Sequence, residues 1–161
     1  MEVISLGWIR LFISVLVITW LIYRCFFKKI RTYNDILERS HNYEFLLFNK
    51  KLAMQTLQAG LKRDLNELER AVLNYNIGRL YYDTGEIDQA IVYFDKAFPI
   101  LIQAEGIKVK DQFIKIIKAY LEKGMNDKAN EVYQYCMKHS LSKRRYQRLR
   151  KKYTQLFEDQ G

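Results

Sequence analysis

The sequence predicts an all-α chain: one helix able to cross a membrane, then helical hairpins repeated in one register, then a basic closing helix. Three observations lead there. Leu11 to Tyr23, LFISVLVITWLIY, carries no charge. Small and aromatic residues recur in the same register along 74–97 and along 113–136. Lys143 to Lys152 is a dense run of cations with an apolar stripe of its own. One Pro and seven Gly in 161 residues leave little punctuation, which favours long helices over many short strands. The expected divisions are 1–33 for an anchor and basic juxtamembrane segment, 34–138 for the hairpin domain and 139–161 for a basic capping helix.

The first element is the apolar one. With Val3–Ile9 ahead of it and Cys25–Phe27 behind, the stretch reaches the roughly 20 residues needed to cross the hydrocarbon layer. Arg10 lies inside the wider window, where its long side chain can reach the nearer headgroups. Trp8 on one side, and Trp20 with Tyr23 on the other, suit the two interfaces. A cleaved signal peptide would need small residues at its cleavage site, and here the run ends in Tyr23-Arg24-Cys25-Phe26-Phe27. A lipoprotein signal would need a small residue where Arg24 stands. A buried core helix would not be apolar on every face in so small a protein.

Arg24, Lys28, Lys29 and Arg31 follow the span, against Arg10 and Glu2 before it. That asymmetry predicts a single-pass membrane protein with its N-terminus outside and everything after Arg24 in the cytoplasm. Lys28, Lys29 and Arg31 are expected against anionic headgroups.

The net charge of +9 is divided between the ends. Residues 1–33 carry +4 and residues 142–161 carry +5, while the middle holds fifteen cations and fifteen anions. A neutral middle argues against nucleic-acid binding by the whole domain. Two cysteines, Cys25 and Cys136, form neither a disulfide framework nor a ligand set.

The hairpins come next. Asn74, Ile77, Gly78, Tyr81, Gly85, Ala90, Phe94 and Ala97 define one pattern, and Phe113, Ile116, Ile117, Tyr120, Gly124, Ala129, Tyr133 and Cys136 repeat it. Ile77, Gly78 and Tyr81 share a helical face, so a neighbouring helix can come close. Gly85 and Gly124 are expected to end the first helix of each pair in a left-handed conformation. Asn126 is expected to cap the second helix of the second pair. Ala90 and Ala129 supply small contacts, and Phe94 and Tyr133 fill the space beside them. An earlier, degenerate copy before residue 61 places Ala53, Leu57 and Gly60 at the second-helix spacing. Asp64-Leu65-Asn66-Glu67 reads as a capping box opening the next helix. Pro99 is expected to kink or shorten its helix, leaving 98–110 as a connection.

This pattern resembles the tetratricopeptide repeat, with repeats near 71–104 and 110–138. Asn74 stands where the family usually has Trp, and Ala53, Ala90 and Ala129 are 37 and 39 residues apart where the family period is about 34. The resemblance implies a peptide-binding concave face. Carried over by position, that face is Tyr75, Arg79, Tyr82 and Asp83, then Ile114, Lys115, Lys118 and Glu122. The family's carboxylate-clamp spacing, Lys followed four residues later by Asn, is absent from these helices, which argues against a receptor for chaperone tails.

In the tail, Tyr146, Leu149, Tyr153 and Leu156 recur at helical spacing among cations. The simplest role is a capping helix with a polar outer face. Arg144, Arg145, Arg148 and Lys152 would in addition suit anionic lipid or an acidic partner. RNA is the weakest candidate, because no aromatic platform accompanies the basic run.

No catalytic machinery is legible. His41 and His139 lack partners at triad or ligand spacing, and no phosphate loop, HExxH or Gly-x-Ser-x-Gly occurs. Neither a cofactor nor a metal is expected. The leading expectation is a membrane-anchored adaptor that presents a cytoplasmic surface to a protein or peptide. A structural subunit or assembly factor of a membrane complex is the alternative, and a nucleic-acid binder acting through the tail is third. The Ile-, Lys- and Tyr-rich composition leans towards a bacterial cell membrane.

Overall fold

The computed structural model describes residues 2–104, 113–139 and 143–153, and among them every regular element is helical. The chain forms two compact units, Met1–Lys62 and Arg63–Gly161.

The first unit opens with α1 (Glu2–Ile22), which passes into a five-residue π-helical turn, Tyr23–Phe27. Along α1 the side chains of Trp8 to Ile22 are exposed, and the 21 residues Gly7–Phe27 are long and apolar enough to cross a membrane. Two of its hydroxyls bond within the helix. Ser14 Oγ donates to the Arg10 carbonyl at 2.9 Å, and Thr19 Oγ1 donates to the Val15 carbonyl at 2.8 Å. Such bonding removes the penalty these groups would carry in hydrocarbon.

Helix α2 (Tyr33–Phe45) starts at a full capping box. Thr32 Oγ1 accepts from the Asp35 N–H at 3.2 Å, and the Asp35 carboxylate accepts from the Thr32 N–H at 2.8 Å. These backbone N–H groups of Thr32 and Arg31, with the Lys28 ammonium, hold the Asp35 carboxyl well below the usual carboxylate range. Ile36, Ser40 and Glu44 form the buried face of α2, and Ala53, Leu57 and Gly60 form that of α3 (Lys50–Leu61). The weak repeat pattern in 53–60 is therefore the packing face of a hairpin helix. Asn49 caps α3, accepting from the Leu52 N–H at 2.9 Å.

The second unit contains α4 (Glu67–Asp83), α5 (Ile87–Leu101), α6 (Ile114–Glu122), α7 (Asn126–His139) and α8 (Arg144–Lys152). Helices α4 and α5 form one hairpin, α6 and α7 another, and α6 packs against both members of the first. The two hairpins turn in the same way. Gly85 has φ +84° and Gly124 has φ +67°. The N–H groups of Glu86 and Gly85 return to the carbonyls of Tyr81 at 2.9 Å and Tyr82 at 3.1 Å. The N–H groups of Met125 and Gly124 return to Tyr120 and Leu121 at the same two distances. A left-handed residue satisfies the orphan carbonyls of each first helix, and glycine adopts that conformation without a Cβ penalty.

Two capping expectations need correction. The box that opens α4 is formed by Asn66 and Glu69, two residues later than expected. Asn66 Oδ1 accepts from the Glu69 N–H at 2.8 Å, and Glu69 accepts from the Asn66 N–H at 3.1 Å. Asn126 does not cap α7. It is the first residue of that helix, the Ala129 N–H bonds to the Met125 carbonyl at 3.0 Å, and Asn126 Oδ1 is buried without a hydrogen-bond partner. The glycine turn ends one residue earlier than a side-chain cap would need.

The core of this unit is continuous from Ala71 to Leu149. Ala90, Phe94, Ala97, Ala129 and Cys136 are fully buried, and Val132 and Tyr133 nearly so. Burying Phe94 alone contributes roughly 1.5–3 kcal/mol. Its ring lies against the backbone of Gly78 on α4 and beside Tyr75 at 6.0 Å. Pro99 sits inside α5, which ends two residues later at Leu101. Of the expected 98–110 connection, residues 105–110 lie outside the described residues. Tyr146 and Leu149 of α8 enter the same core and Tyr153 packs against it, while Leu156 lies outside the described residues.

Candidate functional site

Helices α4 and α6 bring most of the expected groove residues to one strip. Tyr75, Arg79, Tyr82 and Asp83 recur at the spacing of one helical face. Asp83 is gripped from two sides: Lys115 Nζ donates to its two oxygens at 2.5 and 2.6 Å, and Arg79 Nη1 lies 3.6 Å away. Tyr82 donates its hydroxyl to Glu122 Oε1 at 2.6 Å. These contacts cross between the first helices of the two hairpins, so the strip ties the hairpins together as well as lining a surface.

Tyr75 is placed in the core. It is 7% exposed, with its ring 6.1 Å from that of Phe113 in an edge-on contact. Ile114 packs partly against the same core, and Lys118 is half-buried. Burial pushes the Tyr75 hydroxyl up, the opposed charges of Arg79 and Asp83 adding smaller effects. Burial, followed by the bond to Glu122, pushes Tyr82 up as well. Both phenols stay protonated at physiological pH and act as donors. Tyr75 is enclosed by the core and the Tyr82 hydroxyl is committed to Glu122, so what the strip presents to a ligand is its charged side chains.

A second polar cluster, which the sequence reading missed, lies on α5, α6 and α7. Tyr120 donates to Asp95, Lys128 Nζ donates to the other oxygen at 3.0 Å, and the Lys128 ammonium stands 5.5 Å from the Tyr120 ring centre. Burial, then the Asp95 bond, pushes the Tyr120 hydroxyl up. With Phe98, Pro99, Glu131 and Val132 these residues line a cleft of about 290 Å³. Tyr120 was legible as a repeat position. Nothing local links it to Asp95, which is 25 residues away.

The basic residues separate into two settings. On α8, Arg144, Arg145, Arg148 and Lys152 are exposed, whereas Tyr146 and Leu149 on the opposite side are buried. Tyr146 reaches Cys136, whose thiol is nevertheless pushed up to about 11 by burial. In the first unit Lys29 and Arg31 are exposed, and Lys28 pairs with Asp35 at 3.1 Å. That pairing diverts part of the Lys28 charge from the headgroups expected for it.

Changing Arg144, Arg145, Arg148 and Lys152 together to Gln should leave thermal stability nearly intact, within about 0.5 kcal/mol each. Leu149→Ala should instead cost about 2–5 kcal/mol. Thermal melts of the two variants compare these directly. Because each cation near an anionic membrane is worth about 1 kcal/mol, the Gln variant of fragment 34–161 should also be retained less on anionic vesicles than the unsubstituted fragment. A fragment that ignores such vesicles before any substitution would rule out a lipid role for the tail.

Among the described residues no group of His, Cys, Asp and Glu side chains is assembled that could hold a metal ion. No protein-family model, curated protein or solved structure matches the chain.

Proposed function

We propose that the chain is a membrane-anchored adaptor of the tetratricopeptide-repeat type. In this reading α1 crosses the membrane with its N-terminus outside, and the helical hairpins present a cytoplasmic surface to a protein or peptide. The observation that carries the reading is the paired construction of the second unit. Two helical hairpins close with the same left-handed glycine and the same pair of backbone bonds. Each then places a buried alanine and a buried aromatic at the same offsets in its second helix. Repeated hairpins of this kind build extended binding surfaces, and α1 supplies the means of holding one at a membrane.

The α4–α6 strip is the binding face in this proposal. Its three cations, Arg79, Lys115 and Lys118, face two carboxylates, Asp83 and Glu122, each already accepting from a neighbour. That balance favours a partner with acidic side chains or a free carboxylate. The chain's own residues serve for recognition and not for catalysis, and no cofactor takes part.

The test is affinity purification from native membranes, comparing the full chain with fragment 34–161. An adaptor should retain its partners in both forms, and Lys118→Glu should deplete them without lowering thermal stability. Partners held only by the full chain would favour the alternative, a subunit or assembly factor whose α1 makes specific contacts in a membrane complex. Retention on RNA that falls with salt would point to the third reading. A reporter fused after Gly161 should be active only in a format that reports the cytoplasm, and neutralising Lys28, Lys29 and Arg31 should weaken that preference.

A further inference from the structure

The turn between α2 and α3 is built unlike a water-facing turn. Phe45, Leu46, Leu47 and Phe48 are consecutive and are 60%, 58%, 53% and 86% exposed. Turns in water are made of Gly, Pro, Asn, Asp and Ser, and four exposed apolar residues in a row point to a function. Phe48 also has φ +52°, a left-handed conformation that is unusual for an aromatic residue. The turn is held in place from behind, because the Asn49 N–H bonds to the Tyr43 carbonyl at 2.8 Å while Asn49 caps α3.

The direction of α2 sets where this tip goes. Near the start of α2, Asp35 meets Lys28. Further along, Arg39 donates to the carbonyls of Phe26 and Lys28. Asn42 then donates to the Cys25 carbonyl at 3.2 Å, and the Tyr43 ring lies 5.7 Å from that of Phe26. Moving forward along α2 thus reaches earlier residues of the chain leaving α1. Phe45–Phe48 continue in that direction, towards the apolar end of the span at Ile22 and Tyr23. Lys50 and Lys51, both exposed, follow the tip, and Lys29 and Arg31 are exposed on the segment before α2. Apolar residues followed by cations match the layering of an anionic membrane surface, acyl chains inside and headgroups outside.

We propose that Phe45–Phe48 insert into the same bilayer leaflet from which α1 emerges, giving the first unit a second, shallow membrane contact that fixes its orientation at the surface. This rests on the reading of α1 as a membrane span. The occupant is lipid, because the tip is directed along the span and bordered by cations.

The test uses the full chain in vesicles containing anionic lipid, with Cys25→Ser removing the accessible thiol and the buried Cys136 left in place. An environment-sensitive fluorophore is attached in turn at Leu47→Cys, at Val17→Cys within α1 and at Gln89→Cys on the exposed face of α5. Quenching is read with lipids spin-labelled at shallow and deep acyl positions, and with aqueous iodide. The probe at 47 should lose most of its emission to the shallow label and resist iodide. The probe at 17 should respond to the deep label, and the probe at 89 only to iodide. If 17 is quenched by lipid while 47 is quenched by iodide, the tip lies in water: the inference fails and the anchor stands. If 17 is also reached by iodide, the anchor itself fails. If 47 resists both quenchers, protein covers the tip, a second copy or a partner, and the lipid assignment is overturned.

Discussion

Gly78→Val should unfold the second unit or bring it close to unfolding. A Cβ built at position 78 would stand 2.7 and 2.8 Å from two ring carbons of Phe94 and 3.1 Å from the Ala90 carbonyl. The ring has nowhere to go, being fully buried and packed beside Tyr75, and the carbonyl belongs to the backbone of α5. Overpacking costs about 1–3 kcal/mol and occasionally more, and valine adds two further carbons to a contact that already fails at one. Gly78→Ala should be milder, since a better helix former returns up to about 1 kcal/mol. Gly85→Ala provides the contrast. A Cβ there meets nothing within 4 Å, so its cost is the left-handed backbone alone, roughly 1–2 kcal/mol. Alkylation of Cys136 gives the readout, because that thiol is fully buried and pushed up to about 11. It should be protected in the parent and in Gly85→Ala, and labelled in Gly78→Val. Ala90→Trp, on the other side of the same contact, should behave like Gly78→Val. Unchanged melting of both would show that α4 and α5 do not meet there.

Replacing Leu16 with Asp and Ile18 with Arg should abolish retention that resists carbonate and high salt. Both positions lie near the middle of Gly7–Phe27. A charge at the centre of a span costs about 2.5–3.5 kcal/mol, whereas each Leu, Ile, Phe or Val contributes only about 0.3–0.6 in favour of insertion. Two charges together therefore offset most of what the apolar run supplies. Placed two residues apart, they lie on different sides of the helix and cannot pair. The parent should resist extraction with carbonate and high salt, and the double variant should be released. Persistent retention would place the membrane contact elsewhere in the chain and remove the basis for reading α1 as an anchor. Because α1 belongs to the first unit, the second unit's thermal transition should be the same in both proteins.

Several elements could be read from the residues alone because the physics behind them is local. An uninterrupted apolar run without Gly or Pro forms a helix through bonds within the segment itself, which is why the chain is helical throughout the stretch from Leu11 to Tyr23. Gly85 and Gly124 determine their turns through bonds spanning five residues or fewer, so spacing was enough. Helical period assigns Tyr146 and Leu149 to the inner face of α8, and they are buried. The tertiary structure decided whatever depends on which neighbour arrives. Periodicity says that a face is apolar but not what covers it, so Tyr75, expected on an open face, was claimed by Phe94 and Phe113. The Asp83–Lys115 and Tyr82–Glu122 contacts join residues 32 and 40 positions apart, and Asp95 with Lys128 is of the same kind. Such pairs form because the second hairpin, α6 and α7, packs across the first. The sequence placed Lys28 among the lipid-facing cations, and the return of α2 towards the end of α1 set it beside Asp35. That return also leaves Phe45–Phe48 uncovered, since an apolar run records only that water is unfavourable, while the path of the backbone decides whether protein takes its place.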